Sequence, residues 1–198
     1  MANRIRNITG AIIHQLWTDG GPDKAALAAL RSSSNLLNRN ATTIWPLMLA
    51  NLEEGDLSAT GQPTYAEKAV YTALRCFALC QHGNDDLTYA PAGKDKEGKT
   101  LFAALQQLRQ DDATSTAIDR RVQIVLGNSN FESTINAIYH LVTILKGRFP
   151  HEEIDFAQLG QDFYFFQLNS EMARQICLKW GQQYYRISKD KDNQKGEK

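Results

Sequence analysis

The spacing of apolar residues is the feature that most limits what this chain can fold into. Apolar residues recur every three or four positions along almost the whole sequence, whereas strict alternation over the length of a strand is hard to find. The first spacing places apolar side chains on one face of a helix, and alternation would be needed for a half-buried strand. The sequence therefore predicts an all-α protein.

The clearest predicted helix covers residues 64–81. Thr64 and Glu67 have the spacing of a capping box, and the apolar residues that follow them form a single stripe. Other helices are predicted over 5–17, 23–31, a short segment 45–52, 100–110, from Ser115 or Thr116 to Gly127, 130–147, 156–168 and 170–187. The residues expected to cap helices are Thr100, Ser115 or Thr116, Asn130, Asp155 and Ser170.

A change in composition divides the predicted helices into two groups. Residues 83–99 lose the apolar period and are rich in Gly, Pro and charged residues, as in a solvated loop. We therefore predict an N-terminal helical subdomain over 1–83, a polar loop or linker over 84–99 and a C-terminal helical bundle over 100–187. Residues 188–198 are charged and lack apolar side chains, which predicts a disordered tail.

Length and charge exclude several classes of protein. The chain has 198 residues, enough to bury a core, and its 22 Lys and Arg balance its 22 Asp and Glu. This balance excludes a protein that binds nucleic acid through bulk positive charge and leaves local clusters of cations as the electrostatic alternative. No apolar stretch approaches the roughly 20 residues that span a bilayer, and no secretory signal is evident. Together with three cysteines that lack framework spacing, these features predict a cytoplasmic protein without a membrane partner.

Residue types that carry catalysis or bind metals are present but scattered. The four histidines stand apart from one another, and the sequence contains no Gly-rich phosphate loop, nucleophile elbow or HExxH motif. Cys76 and Cys80 share a helix face, but they adjoin the apolar stripe, which favours packing over metal or redox chemistry. We therefore predict that the protein is not an enzyme and has neither a cofactor nor a metal ion.

Arg120 and Arg121 are the first feature that suggests a binding function. They are adjacent in a predicted helix whose apolar side includes Val122 and Val125, and neighbouring residues of a helix diverge by about 100°. One arginine is therefore expected to pair with a carboxylate at the edge of the core, and the other to offer a bidentate fork to phosphate. A solvated face with an internal ion pair is the alternative.

The second feature is an aromatic run over 156–166, followed by Trp180, Tyr184 and Tyr185. Aromatic side chains that stack on bases usually stand on an exposed platform with interleaved Lys or Arg. The run contains no basic residue. The sequence therefore favours core packing between the last two helices over base stacking.

A series of short motifs resembles a known family. In order, the chain contains Leu30-Arg31, Trp45-Pro46, a helix over 71–78 that ends at Gln81-His82-Gly83, Gly98-Lys99-Thr100-Leu101, Ala104-Leu105, Arg120-Arg121, Ile154-Asp155-Phe156, and Arg174 to Trp180. In this order and spacing they resemble the CasB family, the small subunit of the type I-E CRISPR surveillance complex, Cascade. The resemblance covers most of the chain.

The resemblance implies a non-catalytic helical subunit that functions in antiviral defence. Such a subunit is present as a pair along the belly of Cascade, beside the large subunit and the backbone subunits with their guide RNA. It would support assembly on the guide RNA and hold the displaced single-stranded DNA of the R-loop. Because the guide reads the sequence by base pairing, the protein needs only phosphate-binding cations and shape. The alternative is a helical adaptor or regulator that binds only protein, with its arginines engaged in salt bridges.

The candidate nucleic-acid-binding residues follow from this resemblance. The basic residues at positions that match the family pattern are Arg31, Arg120, Arg121, Lys146, Arg148, Arg174 and Lys179. Lys68 and Arg75 are added because their spacing of seven residues places them on one helix face, where they would extend a groove across the two subdomains or merely solvate the helix.

Overall fold

The computed structural model describes residues 3–18 and 21–186, and almost all regular structure in these ranges is helical. The α-helices are α1 (Arg4–Gln15), α2 (Lys24–Ser32), α3 (Trp45–Asn51), α4 (Tyr65–Gln81), α5 (Leu101–Gln106), α6 (Asp112–Gly127), α7 (Phe131–Arg148), α8 (Phe156–Leu168) and α9 (Ser170–Tyr185). Short 3₁₀ helices cover Arg39–Thr43, Glu54–Asp56 and Gln107–Gln110. Two strands of two residues each, β1 (Trp17–Thr18) and β2 (Gly21–Pro22), pair antiparallel and were not predicted. The all-α class is confirmed.

Side-chain caps begin several helices where the sequence predicts them. At the start of α4, the Thr64 hydroxyl accepts from the Glu67 backbone N–H at 3.1 Å, and the Glu67 carboxylate accepts from the Thr64 N–H at 2.7 Å. Asn130 caps α7 by accepting from the Ser133 N–H at 2.9 Å, and Asp155 caps α8. These bonds satisfy backbone donors that have no partner within their own helix.

Three predicted caps differ from the structure, although the predicted start at Thr100 is correct. Helix α6 begins before Ser115 and Thr116, because the N–H groups of Thr114 and Ser115 already bond to the Asp111 carbonyl at 3.0 and 2.9 Å. The cap of α9 is Asn169, which accepts from the Met172 N–H at 2.8 Å and leaves Ser170 as the first helical residue. Thr100 precedes α5 without a capping bond, and its buried hydroxyl has no partner among the described residues.

Helix α8 lies at the centre of the fold. It packs against α1 and α4 on one side and against α9 on the other. Where α8 crosses α1 and α4, it carries Gly160, whose missing side chain allows a close approach to Thr9 and Ala73. The rings of Phe77 on α4 and Phe156 on α8 meet edge to face, with centroids 5.8 Å apart. A single apolar core therefore includes residues from both predicted subdomains, whose division stays a prediction.

Replacing Gly160 with alanine tests this close approach. A Cβ atom there would lie 2.8 Å from the Thr9 hydroxyl oxygen and 3.2 Å from the Ala73 Cβ, so the Thr9 side chain must move and Ala73 must give way slightly. We expect the free energy of unfolding to fall by about 1–3 kcal/mol in urea denaturation. The matched control is Gly181→Ala in α9, where a new Cβ would meet only the Leu126 Cδ1 at 3.5 Å. Equal losses of stability in the two variants would contradict the assigned crossing.

The segment between α4 and α5 differs in part from a solvated loop. Residues 93–97 are exposed, as the composition predicts, but Thr88 and Tyr89 are buried. The Gln81 side chain explains the difference, because it accepts from the Thr88 N–H at 3.0 Å and donates to the Asp86 carbonyl at 2.9 Å. These bonds satisfy backbone groups that would otherwise be buried without partners.

Two further predictions concern the membrane and the tail. Within the described ranges, no helix combines the length and the apolar character needed to cross a bilayer. The tail over 188–198 lies outside the described residues, so its disorder stays a prediction.

Candidate nucleic-acid interface

The aromatic residues of α8 and α9 belong largely to the core. Trp180 is 1% exposed, and its ring stacks on Phe102 and on Phe166, with centroids 4.9 and 5.9 Å away. Its indole N–H donates to the Asp162 carboxylate at 2.9 Å. The predicted core packing between the last two helices is therefore confirmed. Trp180 cannot serve as a platform for bases.

Three of the nine candidate cations, Arg148, Arg174 and Lys179, bind acceptors within the C-terminal half of the chain. Arg148 pairs with Asp111 at 2.6 Å, and Lys179 pairs with the buried Asp162 at 2.6 Å. Arg174 is exposed and donates to the Leu126 carbonyl near the end of α6 at 2.8 Å. For Lys179 the contact is structural, since it helps to neutralise the carboxylate that also binds Trp180.

Arg120 and Arg121 are both exposed on α6, and neither forms a hydrogen bond or ion pair within the part of the chain that the structure describes. The expectation that one of them pairs with a carboxylate is therefore wrong. The adjacent carboxylate, Asp119, is occupied by the Arg109 Nε at 2.8 Å and by the Tyr184 hydroxyl at 2.6 Å. Because these partners take the carboxylate, both guanidinium groups on α6 are available to a phosphate.

A second group of cations lies where α2, α4 and α7 meet, a place we call the three-helix junction and define by Arg31, Arg75 and Lys146. The Arg75 guanidinium lies over the Tyr139 ring of α7, 4.6 Å from its centroid. The Lys146 ammonium group, two turns further along α7, donates to the carbonyls of Leu79, at 2.7 Å, and His82. Helices α4 and α7 thus run side by side in the same direction.

Arg31 joins this group from the end of α2. Its Nη1 donates to the Ala78 carbonyl at 3.5 Å, next in the chain to the Leu79 carbonyl that Lys146 binds. The last carbonyls of a helix have no partner within it and form the negative end of its dipole, so they stabilise cations. The end of α4 therefore holds two cations close together.

The pKa shifts at the three-helix junction record this concentration of positive charge. The positive charge of Arg31, followed by that of Lys146, lowers the pKa of the exposed His82 imidazole. Burial lowers the pKa of Lys146, and the nearby Arg31 lowers it further. Among residues 3–18 and 21–186, no carboxylate forms an ion pair with any of the three cations. The junction is therefore a net positive site.

Arg75 is the most buried of the nine candidates. It is 8% exposed, and its Nε atom is buried without a hydrogen-bond partner in the described chain. Its neighbours Cys76 and Cys80 are buried free thiols, and burial raises the pKa of each to about 12. This shift opposes formation of a thiolate and supports the packing role predicted for the two cysteines.

Lys68 extends the face of α4 that contains Arg75. It is half-buried, forms no ion pair in the described chain, and lines a cleft of about 350 Å³ together with Tyr71 and Phe131. Because Phe131 begins α7, the cleft lies at the opposite end of the α4–α7 contact from Lys146. The predicted shared face of Lys68 and Arg75 thus follows the contact between these two helices.

Sequence reasoning missed two members of the junction, His82 and Tyr139. The usable signal was their spacing, because His82, at the C-cap of α4, is seven residues after Arg75, and Tyr139 and Lys146 are seven residues apart on α7. A spacing of seven repeats a helix face after about two turns. Within the described residues, no three His, Cys, Asp or Glu side chains come together in a group that would hold a metal ion.

The described chain is all-helical and carries two groups of cations that form no ion pair with a carboxylate. Comparison with protein families then identifies the chain. The family model of the CRISPR-associated protein Cse2 matches residues 26–185, and the chain belongs to this family. Membership implies a structural subunit of a CRISPR Cascade complex, with other Cascade subunits as partners.

A solved structure shares the fold. The crystal structure of CasB from Thermobifida fusca superposes with a TM-score of 0.63, at 20% sequence identity, over 93% of this chain and 97% of that one. No curated protein matches the sequence at a significant level. The resemblance to the CasB family, drawn from motif order and spacing, is confirmed.

Proposed function

We propose that the protein is the non-catalytic small subunit of a type I-E Cascade complex, acting in the cytoplasm beside the guide RNA and a second copy of itself. It stabilises the R-loop by holding the displaced DNA strand without reading its sequence. The observation that carries the proposal is that only two of the nine candidate cations, Arg148 and Lys179, pair with a carboxylate in the described chain.

The small number of paired candidates is informative because the positive and negative charges of the chain balance. The chain has equal numbers of basic and acidic residues, so internal pairing could have neutralised the candidates. Instead, several carboxylates are bound by cations outside the candidate set: Arg4 binds Asp56, Arg6 binds Asp155, Lys99 binds Glu152, and Arg109 binds Asp119. Cations left without acidic partners can neutralise phosphates, which supplies affinity for a nucleic acid independently of sequence.

Two aromatic rings that could have stacked on bases are covered by other side chains, which also supports the proposal. Trp180 is enclosed by other rings, and Arg75 covers the face of Tyr139. In an RNA-guided complex the guide selects the target, so contacts with the strand backbone are sufficient. The site therefore suits a displaced strand of any sequence.

Removing the exposed arginine pair tests the proposal. We expect the double variant Arg120→Ala/Arg121→Ala to shorten the R-loop lifetime of assembled Cascade. In a salt titration with single-stranded DNA, the log–log slope should become shallower by about 1.4, since each lost phosphate contact contributes about 0.7. The matched control is Lys24→Ala/Arg39→Ala, which removes two positive charges from exposed positions without ion pairs in the described chain.

The result also separates the proposal from a purely protein-binding adaptor. An equal change in both double variants would indicate a general effect of charge. Undiminished strand binding, with normal copurification of the Cascade subunits, would favour the adaptor. Circular dichroism checks that each variant is folded, and an unfolded Arg120→Ala/Arg121→Ala variant would assign the pair a structural role.

A further inference from the structure

We infer that the three-helix junction is a built binding site for a single phosphate group, held by Arg31, Arg75 and Lys146. The ligand is a phosphate oxyanion, either a phosphodiester of a nucleic-acid strand or a free phosphate ion. The first source rests on the proposed function, whereas the second does not.

Arg75 places a charged side chain at a buried position. A buried charge is unfavourable unless an opposite charge or hydrogen bonds compensate it. The face of the Tyr139 ring compensates part of the charge, but the buried Nε of Arg75 has no acceptor in the described chain. A phosphate oxygen would supply both the missing acceptor and the missing negative charge.

Lys146 and Arg31 keep N–H donors that the described chain does not use. The Lys146 ammonium has three N–H donors and uses two of them on the Leu79 and His82 carbonyls. Arg31 has five N–H donors, of which one bonds to the Ala78 carbonyl. Each cation is thus fixed by a backbone carbonyl and keeps a donor for an anion.

Arg31 and Lys146 lie close enough to repel each other. Arg31 and Lys146 are anchored on consecutive carbonyls, and each charge makes the other less favourable. No acidic residue of the described chain forms an ion pair with either cation. An anion between the cations would convert this repulsion into attraction, in a partly buried setting where charges are weakly screened.

The position of the site gives binding a structural consequence. Arg31, Arg75 and Lys146 belong to three different helices, so an anion that contacts all three ties α2 and α7 to α4. A ligand that binds only the folded state raises stability. Phosphate is therefore expected to raise the melting temperature of the full-length protein, unlike a ligand of a single exposed side chain.

The test is a thermal melt of the full-length protein in increasing inorganic phosphate, with chloride replaced to keep the ionic strength constant. We expect a saturable rise in melting temperature for the wild type. In Arg31→Gln and Lys146→Gln, the phosphate concentration for half of this rise should increase about tenfold or more, since each loses a charge-assisted hydrogen bond. Lys24→Gln/Arg39→Gln, at exposed positions outside the candidate set, is the matched control and should respond like the wild type.

Arg75→Met keeps the inference testable if the other variants fold poorly. This change removes the buried charge and retains an unbranched side chain, so its melting temperature should no longer depend on phosphate. If phosphate raised the melting temperature equally in the wild type and in every junction variant, the effect would be a general action of the salt. That result would overturn the inference. No rise in the wild type would overturn it as well.

Phosphorus NMR with a single-stranded oligonucleotide as competitor separates the two sources. Displacement of bound phosphate by the oligonucleotide assigns the site to the strand backbone. Bound phosphate that the oligonucleotide does not displace assigns it to the free ion, and the inference then stands even if the proposed function fails. Loss of strand binding in the exposed-pair variant, with phosphate binding retained, would show that the two cation groups act separately.

Discussion

Replacing Trp180 with alanine is expected to lower the free energy of unfolding by roughly 4 kcal/mol, as the loss of a large buried aromatic does. The ring is enclosed between Phe102 and Phe166, so its removal leaves a cavity among apolar neighbours. The change also deprives the buried Asp162 of its indole donor. Urea denaturation followed by circular dichroism measures the loss.

The comparison variant for this prediction is Trp180→Phe. Phenylalanine retains most of the apolar contact but cannot donate to Asp162, so its loss of stability should be clearly smaller than that of alanine. A Trp180→Ala protein that melts like the wild type but no longer binds single-stranded DNA would contradict the core assignment. That result would make the ring a stacking platform.

Replacing Asp155 with alanine is expected to lower the free energy of unfolding by roughly 3 kcal/mol. The carboxylate is buried and binds the Arg6 Nη2 at 2.6 Å, the Ala92 N–H at 2.9 Å and the Gln158 N–H at 2.8 Å. It thus connects α1, the segment before α5 and the start of α8. The alanine variant loses the helix cap and leaves the Arg6 charge without its partner.

Asp155→Asn separates these two contributions. Asparagine is as good a cap as aspartate, but it carries no charge to pair with Arg6. We therefore expect an intermediate loss of stability in urea denaturation. If asparagine and alanine reduce stability equally, the ion pair dominates. If alanine has no effect, Asp155 is not the connection assigned to it.

The ion pair of Asp155 also explains how this chain divides its cations. No motif or spacing in the sequence indicated a role for Arg6 or Arg109. Both nevertheless neutralise carboxylates that the fold requires near the core. The cations indicated by the family resemblance are mostly left without acidic partners in the described chain. This separation between structural and available cations is the basis of the two binding proposals.

Local signals in the sequence were sufficient for the fold class and for much of the helix pattern. The capping box at Thr64 and the caps at Asn130 and Asp155 involve contacts three residues apart, so the chain specifies them without tertiary information. The aromatic run without basic residues likewise predicted a buried role for Trp180. Its composition already conflicted with an exposed binding surface.

Tertiary packing alone decided which charged side chains are neutralised and which are available. Arg6 and Asp155 are 149 residues apart in the chain, and no periodic pattern relates them. Asp119 directly precedes Arg120 in the chain, but its carboxylate binds Arg109 of the preceding 3₁₀ helix. The three-helix junction, too, exists only because α2, α4 and α7 meet. Ion pairing requires atoms within about 4 Å of each other, and such distances between remote segments are determined by how the helices pack.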